Sequence, residues 1–181
     1  MDDILSKNPE IVYIKWDCNR KIADPGSPYL SAANQKNLFI DYVNGYYKVL
    51  DAITKKHPEV IFQACASGGG RADYGAMKYH HEFWVSDNTD PYERVLMQWG
   101  IGHLFPAMAM ASHVTVSPNH QTGRQTPLKF RFDVATTGRL GFELRPQDMN
   151  PQETEFAKKA LETYKRIRPT VQLGDLYRLR S

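Results

Sequence analysis

Apolar residues along the chain fall into short runs of strand length, separated by longer segments with helical spacing. The runs lie at 11–16, 60–66, 82–86, 112–117 and 140–144. Between the first two, residues 31–56 carry apolar side chains three and four positions apart, which is typical of an amphipathic helix. Strands that alternate with helices favour parallel pairing, because each helix carries the chain back between strands. The pattern therefore predicts an α/β fold with a parallel sheet.

The final helix has the clearest predicted boundaries. Asn150 is a candidate N-cap, Pro151 suits the first turn, and Glu153 completes a capping-box pattern. We expect this helix to end at Pro169, because proline interrupts the backbone hydrogen bonds of a helix. The helix closes a single predicted domain, residues 1–173, and a tail follows at 174–181.

Composition and charge narrow the function classes. The 181 residues are 41% apolar and 24% charged, which is typical of a globular protein. No apolar run approaches the ~20 residues that span a bilayer, and the first ten residues lack the features of a secretory signal, so we expect a cytoplasmic protein with no membrane partner. The net charge is +3 with basic residues spread along the chain, which argues against a nucleic-acid partner. Cys18 and Cys65 are predicted to be free thiols.

Polar side chains collect where the predicted strands end. They are Lys15, Asp17 and Asn19 after the first strand, Cys65 and Ser67 after the second, and Ser86, Asp87 and Asp90 after the third. In parallel barrels this end of the sheet carries the chemistry. Alternation places Tyr13, Lys15 and Asp17 on one face, where the ammonium favours the ionised carboxylate that a nucleophile requires. An ordinary ion pair between Lys15 and Asp17 explains the spacing equally well.

Three further segments carry weaker signals. The glycine-rich run at 65–71 matches neither common phosphate-binding pattern, so a plain loop is favoured over a phosphate cradle. Asp90 and Arg94 are spaced as an ion pair at a helix start, which leaves Asp87 as the freer acid. Neighbouring side chains at 80–82 point in different directions, so the two histidines and the glutamate there do not predict a metal site. We expect neither a metal nor a cofactor.

Several stretches together resemble glycoside hydrolase family 36, the α-galactosidases of melibiose and raffinose metabolism. The family's nucleophile strand is similar to YIKWDCNR at 13–20, its substrate-binding loop to CASGGGRAD at 65–73 and its acid/base motif to SDNTD at 86–90. Later strand-end motifs of the family resemble SPNHQTGR at 117–124 and GRLGFEL at 138–144. These matches follow the family's order and cover nearly the whole chain.

The resemblance implies a retaining α-galactosidase that works by double displacement. Asp17 would attack the anomeric carbon of a terminal α-galactosyl unit while Asp87 protonates the departing oxygen, and water would then release galactose. Such chemistry requires two carboxyl groups ~5 to 5.5 Å apart. The resemblance also implies a set of substrate contacts, which falls on Lys15, Trp16, Asn19, Cys65, Ser67 and Gly68.

The same resemblance implies an incomplete TIM (β/α)8-type barrel. The five strands correspond to about strands four to eight, residues 1–173 form the partial catalytic domain, and 174–181 lead toward a C-terminal β-domain that the chain lacks. Open strand edges favour a homo-oligomer or association with the missing part of the barrel. A non-catalytic barrel remnant that binds carbohydrate is the alternative, and transfer of galactosyl units to sugar acceptors is compatible with the same motifs.

Overall fold

The computed structural model describes residues 1–19 and 26–179, and the chain divides into two units, Met1–His81 and Glu82–Ser181. Arg20 of the 13–20 motif and the last two residues of the 174–181 tail lie outside the described residues. Each unit contains parallel strands connected through helices, which confirms the predicted α/β class. None of the helices within the described ranges is long and apolar enough to cross a bilayer.

The first unit contains two parallel strands and the helix that connects them. Its elements are α1 (Asp2–Lys7), β1 (Tyr13–Asp17), α2 (Leu38–Lys56) and β2 (Ile61–Cys65). Tyr13 lies opposite Ile61 in the register, and Asp17 lies opposite Cys65. The strand predicted at 11–16 therefore begins and ends later than expected. The first part of the helix predicted at 31–56 is instead a short 3-10 helix, Ala32–Asn37.

A buried apolar cluster determines which face of β1 points outward. The cluster consists of Leu5, Ile53, Val60 and Phe62, with Ile11, Ile14 and Trp16 packed against it. Because successive side chains on a strand point to opposite faces, burial of Ile14 and Trp16 turns Tyr13, Lys15 and Asp17 away from the cluster. This alternation is the one that the sequence predicts.

The second unit contains three strands and three helices among the residues that the structure describes. They are β3 (Glu82–Trp84), α3 (Pro91–Ile101), β4 (Met110–Thr115), α4 (Leu128–Ala135), β5 (Arg139–Glu143) and α5 (Pro151–Leu173). Strand β4 pairs in parallel with both β3 and β5. Val114, Phe132 and Ala135 are buried together with Ala157 of α5, so both later helices pack on the same apolar cluster. The strands predicted at 82–86, 112–117 and 140–144 are all present with shifted ends.

Helix α5 begins as predicted and ends later than predicted. Its capping box is complete, because Asn150 Oδ1 accepts from the Glu153 N–H (2.9 Å) and Glu153 Oε2 accepts from the Asn150 N–H (3.0 Å). The expected end at Pro169 is wrong, since the helix continues to Leu173. Lys165, whose carbonyl would have accepted the missing N–H, is exposed, so water can replace that hydrogen bond. The Gly174 N–H closes the helix on the Thr170 carbonyl (2.9 Å).

Candidate active site

The first candidate carboxylate, Asp17, is the last residue of β1. It is exposed, together with Tyr13 and Lys15 on the same face of the strand. Within residues 1–19 and 26–81, no hydrogen bond or ion pair reaches the Asp17 carboxylate. Within its own unit, the carboxylate that the sequence predicts as a nucleophile is therefore accessible to a ligand.

Strand pairing places Cys65 beside Asp17. The two residues face each other across β1 and β2, and paired residues of parallel strands share one face of a sheet. Cys65 is buried, and its carbonyl accepts from the Cys18 N–H at 2.8 Å. Trp16 differs from the other predicted substrate contacts, because it lies on the opposite face with its ring 6.3 Å from that of Phe62. The observed position of Trp16 is that of a packing residue.

Asn19 and the loop after β2 hold each other in place. Asn19 Oδ1 accepts from the Ser67 N–H (2.6 Å) and from its hydroxyl (3.4 Å). Ser67 and Gly68 have positive φ angles of 50° and 89°, and the Ala66 N–H donates to the Gly68 carbonyl at 2.8 Å. This tight turn brings four of the predicted contact residues, Asn19, Cys65, Ser67 and Gly68, into one connected segment. Asn19 thus has a structural role that the sequence did not indicate.

The turn after β2 requires glycine at position 70, because the backbone of Gly70 passes close to the backbone of Ala66. A Cβ atom at this position would lie 2.6 Å from the Ala66 carbonyl oxygen, which is backbone and cannot turn aside. Gly45, in the exposed face of α2, has no atom within 4 Å of an added Cβ and provides a matched control.

We expect Gly70→Ala to lower the free energy of unfolding by about 1–3 kcal/mol, because the added methyl overpacks the turn. Gly45→Ala should raise it by about 0.5–1 kcal/mol, since alanine loses less backbone entropy than glycine in a helix. Urea unfolding followed by circular dichroism measures both. Equal effects of the two substitutions would contradict the close approach at Gly70.

Arg71 fixes the backbone just after Asp17. Its Nε donates to the Cys18 carbonyl at 2.9 Å, and its guanidinium lies over the rings of Tyr42 (5.4 Å) and Tyr46 (5.7 Å). Burial raises the pKa of the Tyr46 hydroxyl to about 12, so the ring beside the guanidinium stays neutral at ordinary pH. Burial likewise raises the pKa of the Cys18 thiol. Sequence reasoning missed this role, because the partner of Arg71 is far away in the chain.

The second candidate carboxylate, Asp87, lies in the loop between β3 and α3. It is exposed, and no hydrogen bond or ion pair from the described part of residues 82–179 reaches its carboxylate. Side chains within the loop shape it locally: Ser86 Oγ accepts from the Asn88 N–H (3.1 Å), and Asn88 Oδ1 accepts from the Asp90 N–H (3.1 Å). Asp87 is thus presented outward by a loop whose other polar groups are engaged.

The predicted ion pair between Asp90 and Arg94 is wrong. Asp90 caps α3 through the Tyr92 N–H (2.9 Å) and pairs with Arg124 Nε (2.8 Å). Burial raises the pKa of Asp90, but hydrogen bonds from Thr122, the Tyr92 backbone and Arg124 outweigh burial and hold the pKa below its usual value. Helix geometry puts Arg94 one turn away, on the side of α3 that faces the strands.

Arg94 is buried and serves backbone carbonyls instead. It donates to the carbonyls of Ser86 (3.3 Å) and Ala111 (2.9 Å) and to Gln98 Oε1 (3.0 Å). Its guanidinium also lies 5.1 Å from the Trp84 ring centroid. Desolvation lowers the pKa of Arg94 to about 10, which leaves the side chain protonated at neutral pH. The backbone of Ser86, just before Asp87, is therefore held by the buried guanidinium of Arg94.

Neither unit provides a metal centre in its described part. Residues 1–19 and 26–179 contain no group of three or more His, Cys, Asp or Glu side chains that could hold a metal ion. His80 is instead buried, with Nδ1 3.0 Å from the Ala76 carbonyl oxygen and its ring stacked on Tyr46. Asp17 in the first unit and Asp87 in the second each present an exposed carboxylate, a group that can act as acid, base or nucleophile.

Comparison with known proteins relates both loops to one enzyme family. A sequence model described as Melibiase matches residues 1–174. Alpha-galactosidase 1 of Pediococcus pentosaceus is 40% identical over 179 residues, which are 99% of this chain and 24% of that protein. Alpha-galactosidase Mel36A of Lactobacillus acidophilus is 42% identical over 172 residues, 95% of this chain and 24% of its own. The chain thus spans about a quarter of the length of these relatives.

Solved structures show the same relation for the fold. A crystal structure of the family 36 α-galactosidase AgaA from Geobacillus stearothermophilus, in complex with raffinose, superposes with a TM-score of 0.95 at 39% identity. The match covers 99% of this chain and 25% of AgaA. The expected fold, part of a TIM (β/α)8-type catalytic barrel at about strands four to eight, is therefore confirmed. With a family model over most of its length and a matching fold, the chain belongs to the Melibiase family, the α-galactosidases of glycoside hydrolase family 36.

Proposed function

We propose that this chain carries the catalytic carboxylates of a retaining α-galactosidase that hydrolyses terminal α-galactosyl residues of melibiose- and raffinose-type oligosaccharides. The observation that carries the proposal is the pair of accessible carboxylates, Asp17 and Asp87, each at the carboxyl end of a parallel strand in a Melibiase chain. Several side chains close to them in the described residues are engaged in hydrogen bonds, among them Asn19, Ser86 and Asn88, whereas no such bond reaches the two carboxylates within the described part of their own units.

Relatives with bound sugars support the assignment of the two acids. AgaA variants with one or the other of two aspartates replaced are described in complex with raffinose and with stachyose. The two replaced aspartates are separated in AgaA by the same number of positions as Asp17 and Asp87 in this chain. Replacing a catalytic acid is the usual way to keep a substrate intact in a crystal, which favours these positions as the reacting carboxylates.

The reaction then proceeds in two displacements. In the first, a carboxylate oxygen of Asp17 bonds to the anomeric carbon while the glycosidic oxygen departs with the proton of Asp87. In the second, Asp87 takes a proton from water, the water oxygen bonds to the anomeric carbon, and Asp17 is released as carboxylate. The overall result is retention of configuration. A separation of ~5 to 5.5 Å between the two carboxyl groups stays a prediction of this mechanism.

The substrate contacts follow from the loops that flank Asp17. Lys15 shares the exposed face of β1 with Asp17, and Cys65 lies opposite Asp17 in the register. Asn19, Ser67 and Gly68 form the connected turn beside them. We assign sugar contacts to these five residues and leave out Trp16, whose ring packs on the apolar cluster.

The α-galactosidase hypothesis requires further residues that complete the sugar-binding site, whereas the alternative of a non-catalytic barrel remnant does not. The chain spans about a quarter of its relatives' length, and we infer that residues corresponding to other parts of those relatives bind the remaining sugar hydroxyls. We propose that such parts, in the same polypeptide or in an associated copy, complete the barrel here. Assignment of residues 1–173 to the catalytic domain, the cytoplasmic location and self-association stay predictions, as does hydrolysis in preference to galactosyl transfer.

Stereochemistry of the released sugar tests the proposed function. The full-length protein, by which we mean this chain together with the part that completes its barrel, is incubated with 4-nitrophenyl α-galactoside and with raffinose. Proton NMR follows the anomeric signals of galactose before mutarotation. We expect α-galactose to appear first from both, and no release from 4-nitrophenyl β-galactoside. First release of β-galactose would exclude the double displacement, and saturable galactose binding without any release would favour the non-catalytic alternative.

A further inference from the structure

The loop that carries Asp87 is anchored at its far end by a buried carboxylate. The side chain of Asp90 has 0% exposure, and its oxygens accept from the Tyr92 N–H (2.9 Å), the Thr122 hydroxyl (2.7 Å) and Arg124 Nε (2.8 Å). Burying a carboxylate is strongly unfavourable unless a cation and hydrogen bonds compensate. The compensation comes largely from the segment 117–126, which joins β4 to α4.

The same segment holds the middle of the Asp87 loop. Gln121 Oε1 accepts from the Thr89 N–H (3.0 Å), and Asn119 Nδ2 donates to the Thr89 hydroxyl (3.2 Å). That hydroxyl also lies 3.2 Å from the hydroxyl of Thr115 at the end of β4. Thr89, Thr115 and Asn119 are buried, so water competes little for the hydrogen bonds among these three side chains. Asp87 stands two positions before this fixed point.

Segment 117–126 is held in its own conformation by internal hydrogen bonds, so it can fix the Asp87 loop. Asn119 Oδ1 accepts from the backbone N–H groups of Gln121 (2.9 Å) and Thr122 (3.1 Å), and the Gly123 N–H donates to the Asn119 carbonyl (2.8 Å). Gly123 has a φ of 70°, a value that glycine adopts without strain. The turn so formed delivers Arg124 toward Asp90.

Arg124 links segment 117–126 to the end of the Asp87 loop and the start of α3 through contacts with three side chains. In addition to the Asp90 contact, its Nη2 lies 3.3 Å from Glu93 Oε1, and its guanidinium lies 4.4 Å from the Tyr92 ring centroid. A planar guanidinium can donate in two directions while it stacks on a ring, which an ammonium group cannot do. The Arg124 side chain is 41% exposed, so it covers the buried carboxylate from the solvent side.

We propose that Arg124 is a positioning residue for Asp87: by neutralising buried Asp90 it fixes the loop that presents the acid/base carboxyl. The proposal rests on the proposed function, in which Asp87 gives its proton to the glycosidic oxygen as that oxygen leaves and Asp17 bonds to the anomeric carbon. A displaced loop slows this proton transfer. The loss should grow with the basicity of the leaving oxygen, because an activated phenolate departs without protonation.

Substrates with different leaving groups separate positioning from general damage. We expect Arg124→Gln, in the full-length protein, to lower kcat/KM for raffinose by about 100-fold and for 2,4-dinitrophenyl α-galactoside by less than about threefold. The constant kcat/KM reports the steps up to cleavage of the glycosidic bond, and the proton is delivered in that cleavage. Arg124→Lys should lie between wild type and Arg124→Gln on raffinose. Equal losses on both substrates would overturn the proposal.

A matched control is the exposed pair Lys129 and Asp133, 2.6 Å apart on α4. Lys129→Gln also removes one cation from an ion pair in the same unit, but exposed pairs contribute little. Its kcat/KM values should stay within about twofold of wild type on both substrates. A selective loss on raffinose in this variant as well would show that any lost ion pair produces the effect, which would overturn the assignment to Arg124.

A second readout does not depend on turnover. Hydrogen exchange by mass spectrometry, on peptides covering 86–92, should be accelerated at least about tenfold in Arg124→Gln, while peptides of α2 keep wild-type rates. Unchanged exchange at 86–92 overturns the proposal even if the protein hydrolyses galactosides. Accelerated exchange in a protein that hydrolyses none would refute the proposed function and leave the anchoring of the loop established. Circular dichroism checks folding, and Arg124→Lys takes the place of Arg124→Gln if the latter does not fold.

Discussion

Replacing Asp17 by alanine should lower kcat for 4-nitrophenyl α-galactoside by about 10⁴-fold or more, because the variant lacks the oxygen that bonds to the anomeric carbon. The loss should concern kcat far more than substrate binding, since the covalent bond forms only in the reaction. Release of 4-nitrophenol by the purified full-length protein, beside the variant, measures it. The position of Asp17 at the end of β1, without a hydrogen-bond partner in the described part of its unit, makes the carboxylate available for this role.

Azide distinguishes a lost nucleophile from a damaged protein. A small anion can enter the space that the Asp17 side chain leaves and attack the anomeric carbon directly. The single displacement gives β-galactosyl azide, and part of the activity returns. The corresponding azide experiment on Asp87→Ala should give the α-galactosyl azide, because the covalent intermediate on Asp17 still forms.

Asp133→Ala provides the control for Asp17→Ala. It removes an exposed aspartate whose partner, Lys129, is also exposed, and should leave kcat within about twofold of wild type. Comparable activity of Asp17→Ala and wild type would exclude Asp17 as the nucleophile. Restoration by azide with the α product would exclude it as well.

Arg94→Met should lower the free energy of unfolding by about 2–4 kcal/mol, the largest stability effect that we expect from a single substitution in this chain. The substitution removes the buried donor that Arg94 provides to the carbonyls of Ser86 and Ala111, and these acceptors are backbone groups that remain in place. The contact with the Trp84 ring is lost as well. Urea unfolding with an unchanged m-value is the measurement, because the slope then shows that the unfolded state is comparable.

Arg166→Met is the control for Arg94→Met. Arg166 lies on the exposed side of α5, so the same chemical change removes no buried hydrogen bond there. We expect a change within about 0.5 kcal/mol. An equally small change in Arg94→Met would mean that water reaches the two carbonyls, and the buried guanidinium would then have no stabilising role.

The two arginines at the Asp87 loop show what spacing could not reveal. From the sequence, Asp90 pairs with Arg94 four positions later, which is the usual partner on a helix. In the structure Asp90 binds Arg124, and Arg94 turns to the strands. Asp90 lies at the N-cap, outside the regular turn that would bring the pair together, so the two side chains diverge.

Patterns confined to a few neighbouring residues were sufficient for the α/β class, for the exposed face of β1 that carries Asp17, and for the capping box of α5. Each of these depends on the period of a strand or on hydrogen bonds between residues three positions apart, and local spacing fully specifies such contacts. The family motifs, likewise local, indicated Asp17 and Asp87. Tertiary structure alone decided which side chains bind the residues close to those acids: Arg71 contacts the Cys18 carbonyl and Arg124 contacts Asp90. Both contacts join segments far apart in the chain, and only the packing of strands and helices determines which distant polar groups meet a buried carbonyl or carboxylate that needs a partner.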